Sequence, residues 1–411
     1  MSKSIEILAD ENARRRSRKG LAGLPGVFTL GFILSYLKGF LSTVATVDLP
    51  PLIDNMLLFA GLFFLLLYLV GNAHKLGKRF YLSLAILAAM AACYVFSSDS
   101  SPFFACLVFF CVASLSDIRP LIKLWFWMTL GLVLFNSLIY GVQLLTGDAE
   151  VFYRFNEGAL TARYGLGFVH PNMAGAYLFW LCGCGLFCRF GKQGLADIVI
   201  VEAVALFTIF VVDSKTSGYL TAALPVMFAL QQQWVIFTRN RIIRVAFGIL
   251  PVVLFAITYL LAGPLYNQDL GELFTGRPWL WHVCLDNQGI TIFGQKFEVA
   301  SAIGAGGFTW DATTLDSFYA NGLMVSGLLF SSLFCFAVFR HCKSNGSLLA
   351  AEMPFLILAL LFGFTEGHLV DICLGFPLIL MLGSDCLSSQ KPVEVRGLRT
   401  ASSRAKVPKE A

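Results

Sequence analysis

Asn55-Met-Leu-Leu-Phe-Ala-Gly-Leu-Phe-Phe-Leu-Leu-Leu-Tyr-Leu-Val-Gly71 runs for 17 residues without a charge. A bilayer-spanning helix needs about 20 mostly apolar residues, within a range of about 17 to 25, so the stretch reads as a membrane span. Working outward, comparable runs recur along the whole chain. Before it lies Leu21–Leu41. After it come Phe80–Phe96, Pro102–Leu115, Leu124–Leu145, Pro171–Phe190, Leu195–Val212, Ser217–Leu230, Ile242–Leu261, Asp316–Phe339, Leu348–Phe364 and Leu369–Leu387, which makes twelve candidates in all. The composition agrees: of 411 residues 57% are hydrophobic and 13% charged, against about 25% charged in soluble chains. A soluble enzyme, a disordered chain and a disulfide-stapled secreted domain are thereby excluded. The expected fold is an all-α polytopic membrane protein.

Lys and Arg resist transfer to the outer side, so their distribution orients the spans. With a cytoplasmic N-terminus, 24 of the 30 Lys and Arg residues fall on inner segments. Only Lys38, Arg154, Arg163, Lys215, Arg277 and Lys296 are outside. One miscounted helix in the middle would invert every later loop and destroy the alternation, so about twelve spans with both termini cytoplasmic are expected. The basic clusters set topology, and no nucleic-acid partner is expected despite the net charge of +5. The basic tails 1–20 and 388–411 read as solvated segments flanking one membrane domain, 21–387. No cleavage site follows the basic arm, and the first helix reads as a retained anchor. Of the 11 cysteines most lie inside apolar runs and read as packing residues. No His, Cys or carboxylate grouping has a zinc spacing, so no metal is expected.

Two outer loops, 146–170 and 262–315, are long enough to fold over the membrane, and long loops carry function. Arg163 and Arg277 each precede an expected helix start, the first ahead of Pro171-Asn172, the second directly ahead of Pro278. A guanidinium beside the free N–H groups of a helix start receives phosphate or pyrophosphate well; the plainer alternative is contact with lipid headgroups or loop carboxylates. Asp316 stands either as an acid at a cavity or as a helix cap. Glu366-Gly367-His368 reads as an acid/base pair or as a polar turn. The loop aromatics, Trp279 and Trp281 among them, read as an interfacial belt or as platforms for sugar rings. No Ser/His/Asp arrangement and no nucleotide-binding cytoplasmic domain is visible, so any reaction runs outside the membrane without ATP or another cofactor.

Arg163-Tyr-Gly-Leu-Gly-Phe-Val-His170-Pro171-Asn172 resembles the stretch that opens a spanning helix in bacterial polysaccharide polymerases of the Wzy type and in the related O-antigen ligases. Further pieces follow in the family's order. Asp213-Ser-Lys215-Thr-Ser217-Gly is similar to its Ser/Thr-rich segment with a basic residue, Thr275-Gly276-Arg277 with Trp281 to its "SGR, then W" element, and Phe293-Gly294 to its "FG". Asp316-Ser-Phe-Tyr319 with Gly327 resembles its opening of the next helix, and Arg154 with Gly165 fits a spacing of some members. The resemblance covers about Ala162 to Leu329. Ligases usually carry His where this chain has Asp316, which favours polymerase; many polymerases carry Asn where this chain has Ser317, which leaves the general base open.

The resemblance implies a GT-C-like membrane glycosyltransferase that joins undecaprenyl-pyrophosphate-linked repeat units on the outer face of a bacterial cytoplasmic membrane. Its implied partners are that lipid-linked oligosaccharide, membrane lipids, and a chain-length regulator and flippase of the same pathway. The candidate catalytic residues are Arg163 and Arg277 on the pyrophosphate, Asp316 and then Glu366 as base, and His170. The candidate substrate-binding residues are Arg154, Asn172, Lys215, Trp281, Tyr319 and His368. The competing classes are a ligase and, without chemistry, a lipid-linked oligosaccharide flippase or transporter. A transporter more naturally places charges near the bilayer midplane and repeats its halves; here Glu202 is the main charge within a span and no repeat is evident.

Overall fold

The computed structural model describes residues 25–47, 49–115, 118–156, 159–267, 277–297, 300–303, 309–312, 315–343 and 349–386. Both basic tails lie outside the described residues. Each of the twelve apolar stretches contains a helix: α1 (Gly26–Leu41), α2 (Pro51–Gly71), α3 (Arg79–Ser97), α4 (Ser101–Val112), α5 (Arg119–Thr146), α6 (Pro171–Cys188), α7 (Leu195–Phe210), α8 (Lys215–Ala229), α10 (Arg241–Ala262), α12 (Phe318–Lys343), α13 (Leu349–Thr365) and α14 (Phe376–Cys386). Further helices lie in the connections, among them α9 (Gln231–Arg239) and α11 (Arg277–Gln288). Five of them, α2, α3, α5, α10 and α12, are long and apolar enough to cross a membrane. Large side chains such as Phe63 at 59% and Leu138 at 67% exposure cover their outer faces. Exposed apolar surface on that scale suits a lipid environment.

Proline opens several helices at the position where its missing N–H matters least, as at Pro51, Pro102, Pro120 and Pro171. Small residues let helices approach closely. A Cβ on Gly31 of α1 would stand 2.9 Å from the Leu65 nitrogen of α2. Lys38 meets Asp54 at 3.7 Å where the two helices join. The centre of the bundle is α6, whose Tyr177, Phe179 and Trp180 are fully buried against aromatic rings of α1 and α13.

Two features depart from an all-helical reading. The two long connections carry short antiparallel hairpins, β1 (Phe152–Asn156) with β2 (Ala159–Arg163), and β3 (Ala300–Ile303) with β4 (Thr309–Ala312). Hairpins of four or five residues carry too few apolar alternations to stand out beside 20-residue runs. Second, α12 is not continuous: a turn at Phe318–Asn321 passes into a π-helical turn, Gly322–Ser326, before the helix resumes at Gly327. Residues 291–295 dock in that break. The Gln295 nitrogen donates to the Val325 carbonyl at 2.9 Å, and the Leu328 and Leu329 nitrogens donate to Thr291 and Ile292, each at 3.0 Å.

Candidate functional site

The segment from Arg163 to α6 is held from several sides. Ala45 donates to the Gly167 carbonyl at 2.8 Å and Val169 to Thr43 at 3.0 Å. Asn136 donates to the Leu166 carbonyl at 3.0 Å. Leu166 and Gly167 both adopt left-handed backbone, with φ of 54° and 82°. A Cβ on Gly167 would lie 2.8 Å from the Asn136 amide, so glycine is required there. This clamp fixes the end of β2 and buries the Arg163 side chain.

One terminal nitrogen of Arg163 donates to Asn172 Oδ1 and to the Asp213 carbonyl, each at 3.0 Å, and its Nε lies 3.3 Å from Asp213 Oδ2. Asn172 belongs to the first turn of α6, and Asp213 lies two residues before α8. The guanidinium is therefore set beside two helix N-termini, whose dipoles add positive potential. Asp213 holds φ at 52°, an uncommon backbone for a non-glycine residue, and such strain gathers at functional sites.

Arg277 opens α11 and reaches two carboxylates, Asp316 Oδ2 at 3.7 Å and Glu366 Oε1 at 3.3 Å. Both contacts are longer than the ~2.7–2.9 Å of a strong charged hydrogen bond, so Arg277 is held loosely. Glu366 is buried and its carboxyl is pushed up to about 8. Burial is the leading cause, opposed by Arg277, reinforced by Asp316 and opposed again by Arg163. Both arginines thus act on one carboxyl group. Asp316 remains 42% exposed at the side chain.

Asp316 is not the helix cap. That role falls to Ser317, whose hydroxyl accepts from the Ala320 nitrogen and donates to the Gly363 carbonyl, each at 3.4 Å. The Phe318 nitrogen donates to the Glu366 carbonyl at 3.3 Å. These contacts bind the start of α12 to the end of α13 and bring Asp316 beside Glu366.

The other sequence candidates fall elsewhere. Trp281 is buried and packs edge-on against Phe364, with ring centroids 5.6 Å apart. Tyr319 is fully buried, its hydroxyl donating to the Leu360 carbonyl at 2.8 Å. Both side chains are packed in the apolar interior. His170 caps α6, its Nδ1 accepting from the Asn172 nitrogen at 3.1 Å. Lys215 is exposed at the first position of α8. Arg154 pairs with Thr161 in the first hairpin, and its side chain lies outside the described residues. His368 opens a short 3-10 turn and lines a cavity next to Glu366.

That cavity, about 410 Å³, lies between the turn after α3, the start of α12 and the loop before α14. Its wall includes Asp99, which sequence reading passed over. The available signal was the polar run Ser97-Ser-Asp-Ser-Ser101 between two apolar stretches. Among the described residues no group of three or more His, Cys, Asp or Glu side chains is placed to hold a metal ion. Compared with family models, with curated proteins and with solved structures, the chain gave no match.

Proposed function

We propose that the chain is a membrane glycosyltransferase of bacterial origin. It polymerises undecaprenyl-pyrophosphate-linked oligosaccharide repeat units into capsule, exopolysaccharide or O-antigen on the outer face of the cytoplasmic membrane. In this reading twelve spans place both termini in the cytoplasm. The ion pairs support that arrangement, because each joins segments the charge distribution puts on one side. Lys38–Asp54, Arg163–Asp213 and Arg277 with Asp316 and Glu366 are all outer, and Arg189–Asp197 and His341–Glu352 are both inner.

The observation that carries the reading is Arg277 set between Asp316 and the buried Glu366, with Arg163 near enough to favour the charged form of the same carboxyl. Formally the two cations face Asp213, Asp316 and Glu366. With Glu366 protonated, as its raised carboxyl favours near neutrality, the cluster is balanced and Arg277 is free to turn to an anion. The donor pyrophosphate takes that place. A hydroxyl oxygen of the acceptor sugar attacks the anomeric carbon of the donor, and the bond from that carbon to the phosphate oxygen breaks. The bonding pair leaves with the pyrophosphate, whose added charge Arg163 and Arg277 stabilise. The hydroxyl proton passes to a carboxylate. Asp316 suits this role because it is the accessible one, whereas Glu366 is closed off by burial.

The test is in-vitro conversion with purified protein in nanodiscs and lipid-pyrophosphate-linked repeat units of its host, followed by mass spectrometry. A ladder of multiples that disappears in Arg277→Ala supports the polymerase. Single transfer to another acceptor points to a ligase, and tight binding without turnover points to a flippase.

A further inference from the structure

The arginine cluster accounts for a pyrophosphate but leaves the acceptor without a place. The polar cavity adjoins the cluster directly: Leu315 and Gly367 in its wall are the chain neighbours of Asp316 and Glu366. Its volume of about 410 Å³ falls within the ~300–1,000 Å³ typical of small-molecule sites. Among the described residues no Lys or Arg contributes to the wall. A phosphate group has no reason to enter.

Two carboxylates are fixed in that wall by backbone N–H groups. Asp99 Oδ1 accepts from the Ser101 nitrogen and Asp371 Oδ1 from the Cys373 nitrogen, each at 2.9 Å. The second oxygen of Asp99 has only a long contact, 3.4 Å, from the Ser326 hydroxyl. Among the described residues no donor is placed on that of Asp371. Burial raises the Asp99 carboxyl, the Ser101 nitrogen and hydroxyl oppose this, and Asp371 adds to it, so the two carboxylates face the same space. Asn321 and His368 add donors, while Phe297 and Phe318 supply apolar surface. Preset acceptors beside a ring face match the alternating hydroxyl and C–H surfaces of a sugar.

We infer that this cavity is the acceptor subsite, taking an uncharged sugar ring whose hydroxyls donate to Asp99 and Asp371 beside Asp316, and that it rejects uronic acids. The inference rests on the glycosyltransferase reading for its role, but its chemistry can be read separately. The full chain in nanodiscs is examined by saturation-transfer NMR with methyl α-D-glucoside, methyl α-D-galactoside and methyl β-D-glucuronide, and separately for binding of undecaprenyl pyrophosphate.

Wild type is expected to bind at least one neutral glycoside and not the glucuronide. Asp99→Asn and Asp371→Asn should each weaken the neutral glycoside about five-fold, the ordinary weight of one hydrogen bond. They should also admit the glucuronide, since a repelling charge is gone, and should keep undecaprenyl pyrophosphate binding. Equal binding of glucoside and glucuronide by wild type overturns the inference and needs no variant. So does neutral-glycoside binding unchanged in both variants, or absent from wild type. If wild type binds the glycosides selectively and not undecaprenyl pyrophosphate, the sugar site stands and the transferase reading falls.

Discussion

At the scale of single residues, Arg163 and Arg277 differ in how they are held. Arg163 bridges Asn172 and Asp213 with short bonds, while Arg277 makes two long ones. In the proposed reaction, replacing either by Ala removes a cation from the leaving group. Polymer formation is expected to fall by about 10²–10³-fold or more, the effect of losing one preorganised donor, with membrane protein level unchanged by immunoblot. Lys is expected not to rescue Arg163, because one ammonium cannot reproduce its planar set of donors. Glu366 sets the pH response. Its carboxyl is raised to about 8, so stability associated with the protonated form is complete below the ordinary carboxyl range and is lost as pH rises through about 8. Above that value the ionised Glu366 also competes for Arg277. Activity is therefore expected to decline through pH 8 and the melting temperature with it; Glu366→Gln should flatten both profiles. An activity that instead rises through pH 8 and vanishes in Glu366→Gln makes Glu366 the base in place of Asp316.

At the scale of elements, the break in α12 explains two short motifs that look unremarkable in sequence. Gly294 and Gly327 have φ of 83° and 88°, and a Cβ on Gly327 would fall 2.3 Å from the Gly294 nitrogen. The two backbones touch where the outer loop docks, and Phe293-Gly294 and Gly327 are what permits it. Gly327→Ala is expected to destabilise by more than about 2 kcal/mol, since it adds steric overlap to an unfavourable backbone angle. Gly131→Ala, in open space within α5, should be neutral or slightly stabilising. Thermal unfolding in detergent separates the two. Ser317 is the other element-level result. By capping the turn it leaves Asp316 to Arg277.

At the scale of the whole molecule, the helices act as a frame that delivers short outer segments to one place. The turn after α3, the hairpin before α6, the turn before α8, the start of α11, the start of α12 and the loop before α14 all contribute to the cluster or to the cavity. This requires that they lie on one side of the membrane. In a chain carrying Tyr153→Cys, a membrane-impermeant maleimide is expected to label intact cells. With His74→Cys labelling should need permeabilised membranes, because the proposed topology puts that position in an inner connection. The reverse pattern inverts the topology and removes the site from the outer face.

The sequence by itself determined the helices and the two arginines. Long apolar runs are a period-independent signal that bilayer thickness sets, and cations that break the alternation of basic clusters stand out in the sequence. Glu366 and Asp316 were legible for the same reason, as ionisable groups at helix ends. What only the tertiary structure decided is partnership and access. Trp281, Tyr319 and Glu366 occupy similar positions near helix ends, yet the first two are packed and the third faces Arg277. Asp99 and Asp371, far apart in the chain, share one cavity. Periodicity and charge fix what each segment is, whereas burial, and with it the raised Glu366 carboxyl, depends on which segments the bundle brings together.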